Sequence, residues 1–278
     1  MNVRRGGRTA LLRELADGRW VVGGAAAAIV VWSSSVRDLP SSLPLILAVG
    51  AATLIIYGVD AWLDRRSAPL PSAVRRSFPL ALIVLVAALR FLRPETVLTL
   101  LGGLTLCALY AVPLPGLRGR RPKDHPAGKV LSVAASVAIA TTLLPAVESK
   151  RPPGLVELFG LIVLTGGLIA WNTLACDLRD SIRDRQAGLR TAATSWGSPR
   201  LRRALQVAAV GGITTIVIAA SALPTSALTG AVLCAAIPLI GGLAAVQLLR
   251  PETSSWIWTW TLDGSFWVLL CTPIFTTL

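Results

Sequence analysis

Five aspartates in two short stretches are the residues of this chain best suited to chemistry. They are Asp60 and Asp64 in Asp60-Ala-Trp-Leu-Asp64, and Asp177, Asp180 and Asp184 in Asp177-Leu-Arg-Asp180-Ser-Ile-Arg-Asp184. Each stretch closes a long apolar run and is followed or interleaved by arginines. Spacings of three, four and seven put the carboxylates of each cluster on one face of a helix. Such a face at a membrane boundary is costly unless it holds a cation. Mg²⁺ suits it, because that ion binds a few carboxylates and completes its shell with phosphate oxygens and water. The chemistry predicted is therefore capture of a phosphorylated ligand through Mg²⁺.

The elements that must position these acids are membrane helices. The chain has 278 residues, of which 54% are hydrophobic and only 15% charged, and its mean hydropathy is +0.67. Soluble domains carry about 25% charged residues. The runs are continuously apolar rather than alternating, which excludes a transmembrane β-barrel. The pattern predicts an all-α, polytopic membrane bundle of about nine transmembrane helices around a central cavity. The spans are near 20–34, 43–60, 78–93, 96–113, 130–147, 155–176, 204–222, 227–248 and 256–277. Residues 1–19 form a cytoplasmic N-terminal segment, and 20–278 a single membrane domain. The basic start followed by an apolar run has the outline of a signal peptide, but the first span is expected to be retained. Of the 27 Lys and Arg, only Arg37, Arg90, Arg93, Lys150 and Arg151 fall on the side opposite the N-terminus, leaving 22 on the N-terminal side. This asymmetry predicts a protein of the cytoplasmic membrane with its N-terminus and active site on the cytoplasmic side. Four spans separate the two acidic clusters, so both leave the bilayer on that same side, where two Mg²⁺ ions could share one diphosphate.

The same charges explain the formal net charge of +13. They are topology charges facing an anionic leaflet, and no basic stretch interleaved with aromatics offers a nucleic-acid platform. The four cysteines form no CxxC pair and His125 is the single histidine, which leaves no zinc site and no nucleophile–histidine triad. Asp263 lies inside the last span, where an acid marks function by default.

The stretch from Asp177 to Thr191 resembles the second aspartate-rich motif of the UbiA superfamily of intramembrane prenyltransferases. Asp177, Asp180, Asp184, Gly188, Arg190 and Thr191 match its D-x-x-D-x-x-x-D, Gly and basic-Thr elements. Asp60 and Asp64 match the two aspartates of the first motif, N-x-x-x-D-x-x-x-D. The asparagine position is Ile56, a departure, with Tyr57 beside it. The loop 114–129 is similar to the family's basic loop, with Tyr110 before it and Lys123 and Lys129 within it. Arg118, Arg120 and Arg121 read as topology charges.

The resemblance implies a Mg²⁺-dependent prenyltransferase that moves an isoprenoid group from a prenyl diphosphate to an aromatic or other lipophilic acceptor. Asp60, Asp64, Asp177, Asp180 and Asp184 would hold two Mg²⁺ ions and act in catalysis. Lys123, Lys129 and Arg190 would bind the diphosphate. Tyr57, Tyr110, Asn172 and Asp263 are candidates for the substrate cavity. A membrane terpene cyclase is the alternative within the superfamily. A non-catalytic homologue or a transporter is the alternative outside that chemistry.

Overall fold

The computed structural model describes residues 3–17, 19–40, 42–64, 72–112, 121, 125–151, 154–186, 188–221 and 226–273. They form helices α1 (Val3–Asp17), α2 (Trp20–Val36), α3 (Leu43–Asp64), α4 (Ser72–Leu89), α5 (Pro94–Ala111), α6 (Pro126–Ser149), α7 (Leu155–Gln186), α8 (Ala192–Trp196), α9 (Ser198–Ser221), α10 (Ser226–Cys234), α11 (Ala236–Leu248) and α12 (Ser255–Leu262). A 3-10 segment, Gly264–Cys271, follows. No strand occurs among the described residues. In hydrocarbon every backbone polar group needs an internal partner, and helices provide it. Pro94 and Pro126 stand at the first turns of α5 and α6, where a missing N–H costs nothing.

Each apolar run predicted from sequence falls on a helix or a helix pair, but the count of nine spans is not reached by length. Among the described residues, α3, α4, α6, α7 and α9 are long and apolar enough to cross a membrane. A sixth crossing results if α1 and α2, which meet at a 71° bend, count as one. The last two predicted spans are each broken. The run 227–248 divides into α10 and α11 at Ala235, and 256–277 passes from α12 into the 3-10 segment. Helix α4 starts at Ser72, earlier than expected, and α7 continues ten residues past Cys176. That extension carries the second acidic cluster.

Helix α2 is the spine of the bundle. Its Ala25, Ala28, Ile29 and Trp32 belong to one core with α7, α9, α11 and α12, centred on Trp171, Leu205 and Trp258. Its Ala26 and Val30 belong to a second core with α3, α4 and α6, built on Leu45, Val49, Leu85 and Leu144. Small residues let it serve both sides. A Cβ on Gly23 would stand 2.9 Å from Leu54 Cγ and 3.0 Å from the Gly50 carbonyl oxygen, so glycine permits the α2–α3 approach. Exposed Leu82, Ile83, Val86, Leu98, Phe159 and Ile218 form an outward apolar surface suited to lipid.

One end of the bundle is stitched by arginines, of which Arg37 is buried and Arg151 exposed. Arg37 donates to Glu157 Oε1 at 2.7 Å and to the Thr142 carbonyl at 3.0 Å. Arg93 donates to the Val147 carbonyl at 2.8 Å, and Arg151 to the Asp38 carbonyl at 3.2 Å. The turns after α2, α4 and α6 therefore meet there. The ends of α3 and α7, with their aspartates, lie at the other.

Candidate active site

At the acidic end, α7 is stopped by residues of the motif itself. Gly188 takes φ +67°, a conformation that glycine adopts without a Cβ penalty. The Gly188 N–H donates to the Arg185 carbonyl at 3.2 Å, and the Leu189 N–H to the Asp184 carbonyl at 2.8 Å. This pair of bonds is a Schellman C-cap. Thr191 then caps α8 reciprocally with Thr194. Gly188 and Thr191 thus shape the loop, and Arg190 stands exposed between them.

The three aspartates of α7 have different surroundings. Asp177 is fully buried, and both its oxygens are engaged. Oδ1 accepts from Lys129 Nζ at the start of α6, and Oδ2 accepts from the Ala192 N–H at 3.1 Å. Asp177 therefore ties α6, α7 and α8 together, and Lys129 is committed to it. Neither residue stands free as the metal or diphosphate ligand expected from the spacing. Asp180 accepts from Arg179 Nε at 3.1 Å and from its Nη2 at 2.9 Å, while Arg183 approaches at 3.2 Å. Arg179 is held in turn by Thr259 Oγ1 of α12 at 3.3 Å. Asp184 is buried and within electrostatic range of Asp180, Asp177, Lys129 and Arg183.

Helix α3 brings the first cluster. Asp60 is half-buried near its end, and Asp64 is its last residue. The Asp64 side chain, and all of Lys123, lie outside the described residues. Among the described residues no three Asp, Glu, His or Cys side chains converge closely enough to cage a metal by themselves. The donor set still fits Mg²⁺. It is all oxygen, and Mg²⁺ is ordinarily held by one or two carboxylates plus substrate phosphates rather than by an all-protein cage.

The candidate cavity residues separate into two groups. An apolar cavity of about 430 Å³ runs between α2, α3, α5 and α6. Ile56 and Tyr110 line it, with Ala52, Gly103, Ser136 and Leu144 among its other walls. Tyr57, Asn172 and Asp263 do not line it; Asn172 and Asp263 meet between α7 and the end of α12, with Tyr57 of α3 within electrostatic range of Asp263. Asn172 Nδ2 donates to Asp263 Oδ1 at 2.7 Å, and Asp263 is buried. The Tyr57 hydroxyl is within electrostatic range of Asp263, Cys176 and Asp60. Arg19 lies over the Tyr57 ring, 5.9 Å from its centroid. Arg19, Cys176, Arg179 and Thr259 were not singled out by the sequence, which carries no periodic signal for residues that meet only through the fold.

Helical geometry explains the separation. Taking Ile56 as the origin, Asp60 lies at about 40° and Tyr57 at about 100° around the α3 axis. Asp60 therefore stands between an apolar face and a polar one. The residue at the position of the missing motif asparagine continues the wall of the apolar cavity to within one turn of Asp60.

No family profile matches the chain, and no curated protein sequence matches it. Solved structures do. A UbiA homolog from Archaeoglobus fulgidus superposes with TM-score 0.62 at 14% identity, covering 95% of this chain and 99% of the other. The same organism's UbiA homolog bound to GPP and Mg²⁺ gives 0.59 at 13% identity, covering 95% and 98%. A UbiA homolog from Aeropyrum pernix K1 gives 0.58 at 14% identity, covering 92% and 95%. Over nearly its whole length, this chain has the membrane helical fold of the UbiA homologs.

Proposed function

We propose that this protein is an intramembrane prenyltransferase that uses a prenyl diphosphate and Mg²⁺ to alkylate a lipophilic acceptor. The observation that carries the reading is the position of Asp60. It lies one helical turn beyond Ile56, which lines the apolar cavity, near the end of α3, as Asp180 and Asp184 lie near the end of α7. The fold likeness supports it, since solved relatives hold GPP or DMAPP together with Mg²⁺. The charge asymmetry supports a reading in which this end and the N-terminus face the cytoplasm from the cytoplasmic membrane.

Asp60, Asp64, Asp180 and Asp184 are the residues that would hold Mg²⁺, which supplies Lewis-acid stabilisation of the departing diphosphate. Lys123 and Arg190 add positive charge around that group, and Lys129 does so to the extent that Asp177 releases it. Asp177 itself fixes the loop that carries Arg190. The walls from Ala52 to Leu144 bind the isoprenoid tail and exclude water from the allylic carbon. Loss of the C–O bond leaves its electron pair on the diphosphate and a cation on the tail; the acceptor's π or lone pair closes the new bond, and the proton the acceptor then loses passes to the released diphosphate.

The test is diphosphate release from purified protein offered geranyl, farnesyl and geranylgeranyl diphosphates, with Mg²⁺ or with EDTA. Release that needs Mg²⁺ and falls at least a hundredfold in Asp180→Ala and Asp60→Ala is expected. A cyclised hydrocarbon as the sole product would identify a terpene cyclase instead. No release with any donor, even with a membrane extract supplying acceptors, would refute the enzyme.

A further inference from the structure

Both oxygens of Asp180 are taken by one guanidinium. Arg179 Nε donates to Oδ1 at 3.1 Å and Nη2 to Oδ2 at 2.9 Å. Adjacent residues of a helix point about 100° apart, so helical spacing alone does not make this fork. The two side chains lean toward each other. The remaining nitrogen, Nη1, donates to Thr259 Oγ1 of α12 at 3.3 Å, and Asp263 at the end of α12 is within electrostatic range of Arg179. The pair is largely withdrawn from water, with side chains 10% and 18% exposed. A bidentate arginine–carboxylate contact is strong in such a setting. Arg183 also reaches Asp180 Oδ2, at 3.2 Å, but its side chain is 69% exposed and its attraction is screened.

Asp177 and Asp180 are both engaged, but their release would have different consequences. Asp177 is bonded to Lys129 of α6 and to the N–H of Ala192, the first residue of α8. Freeing it parts three helices. Arg179 stands beside Asp180 on the same helix, so the fork opens by side-chain rotation and parts none. A divalent cation approaching Asp180 alone must displace a guanidinium that is already seated. It is also opposed by the charges of Arg183 and Lys129, both within electrostatic range of Asp180. A diphosphate carries the opposite charge, so it offsets those cations and favours a metal that arrives with it.

We propose that Arg179 is a positioning residue that stands in for the metal on Asp180 in the empty enzyme, so that Asp180 takes Mg²⁺ only together with a prenyl diphosphate. The inference rests on the prenyltransferase reading and adds an order of binding to it. Free Mg²⁺ does not fill the empty site, because Arg179 holds both of the oxygens it would use. The charge of the donor tips that competition, and the fork gives way while Thr259 retains the guanidinium. Arg179 acts through Asp180 and takes no part in the bond exchange. The same contact explains how Asp180 is tolerated in the empty state, since an unpaired carboxylate withdrawn from water is costly.

The experiment uses the full-length protein in phosphatidylcholine nanodiscs. Mn²⁺ is titrated alone and with geranyl thiodiphosphate, and protein-bound Mn²⁺ is read by EPR after separation from the free chelate. Wild-type protein should bind Mn²⁺ at least tenfold more weakly alone than with the thiodiphosphate. Arg179→Gln should tighten binding of Mn²⁺ alone by about tenfold, a gain that damage to the fold does not produce. Arg179→Met removes the same charge should the glutamine variant not fold, and the wild-type comparison needs no variant. Arg183→Gln, at the exposed contact, should change the affinity for Mn²⁺ alone by no more than about twofold. Equal wild-type affinity with and without the thiodiphosphate, no gain in a folded Arg179 variant, or an equal gain in Arg183→Gln would each overturn the role of Arg179. Failure of the wild-type protein to bind geranyl thiodiphosphate, read by thermal shift with Mn²⁺ present, would instead overturn the prenyltransferase reading on which it rests.

Discussion

Replacing Asp177 by asparagine separates a structural aspartate from a metal-binding one. The Asp177 carboxylate is fully buried and accepts from Lys129 Nζ and from the Ala192 N–H. Hydrogen bonds to charged groups contribute about 1.5–3 kcal/mol each. The asparagine oxygen can still meet one of the two donors, and the Lys129 ammonium keeps partial access to water, with a side chain 30% exposed. The expected loss is therefore about 2 kcal/mol for Asp177→Asn. Asp177→Ala, which orphans both donors, should cost about 3–5 kcal/mol. For a protein of this size 1 kcal/mol corresponds to roughly 2–4 °C, so Asp177→Asn should melt about 4–8 °C lower in detergent. Mn²⁺ titration followed by EPR, with geranyl thiodiphosphate present, should show metal affinity within about threefold of wild type. Asp180→Asn should also melt lower, because it weakens the paired contact with Arg179, but it should in addition lose at least tenfold in Mn²⁺ affinity. If Asp177→Asn melts normally but loses Mn²⁺, Asp177 is a ligand after all, and the tie to α6 and α8 breaks when metal binds.

Three other outcomes follow from the geometry. Ile56→Asn places an amide one turn before Asp60, and we expect it to tighten Mn²⁺ binding in the same EPR titration; unchanged affinity would mean that position 56 does not reach the ion. A Cβ added at Gly103 meets nothing within 4 Å, and Gly103 lines the apolar cavity. Gly103→Leu should therefore fold normally and shift the preferred donor towards shorter isoprenoids by at least fivefold in kcat/KM, whereas an unaltered donor profile would show that the tail lies elsewhere. Cysteine placed at the exposed Arg190 should react with a membrane-impermeant maleimide in inside-out vesicles and not in right-side-out ones. The reverse pattern would invert the orientation.

How much of the site was legible depended on how local its cause is. The clustering of Asp60 with Asp64, and of Asp180 with Asp184, follows from helical spacing alone, and their shared end follows from the alternation of spans. The fate of Asp177 was not legible, because its partners come from 48 residues before it and 15 residues after it. Spacing assigns a residue to a face, but not what that face meets. The substrate candidates show the same limit. Tyr110, Tyr57, Asn172 and Asp263 are read together in the sequence, but the fold puts Tyr110 in the wall of the apolar cavity and the other three outside it. Helix α2, the first expected span, contributes to both hydrophobic cores, because its glycines and alanines allow close packing on either side.

The sequence by itself determined the class of the molecule. Continuous apolar runs dictate helices wherever backbone groups must be satisfied in lipid, and the spacing of the aspartates puts each cluster on one helix face. Gly188 and Thr191 also act locally, ending one helix and starting the next. Tertiary structure decided that Asp177 braces α6, α7 and α8. It also broke the last two spans, set Ile56 but not Tyr57 in the wall of the apolar cavity, and left Asn172 Oδ1 without a donor among the described residues. Those outcomes depend on helix rotation and on contacts between distant segments, and neither is encoded by any periodicity within one of them.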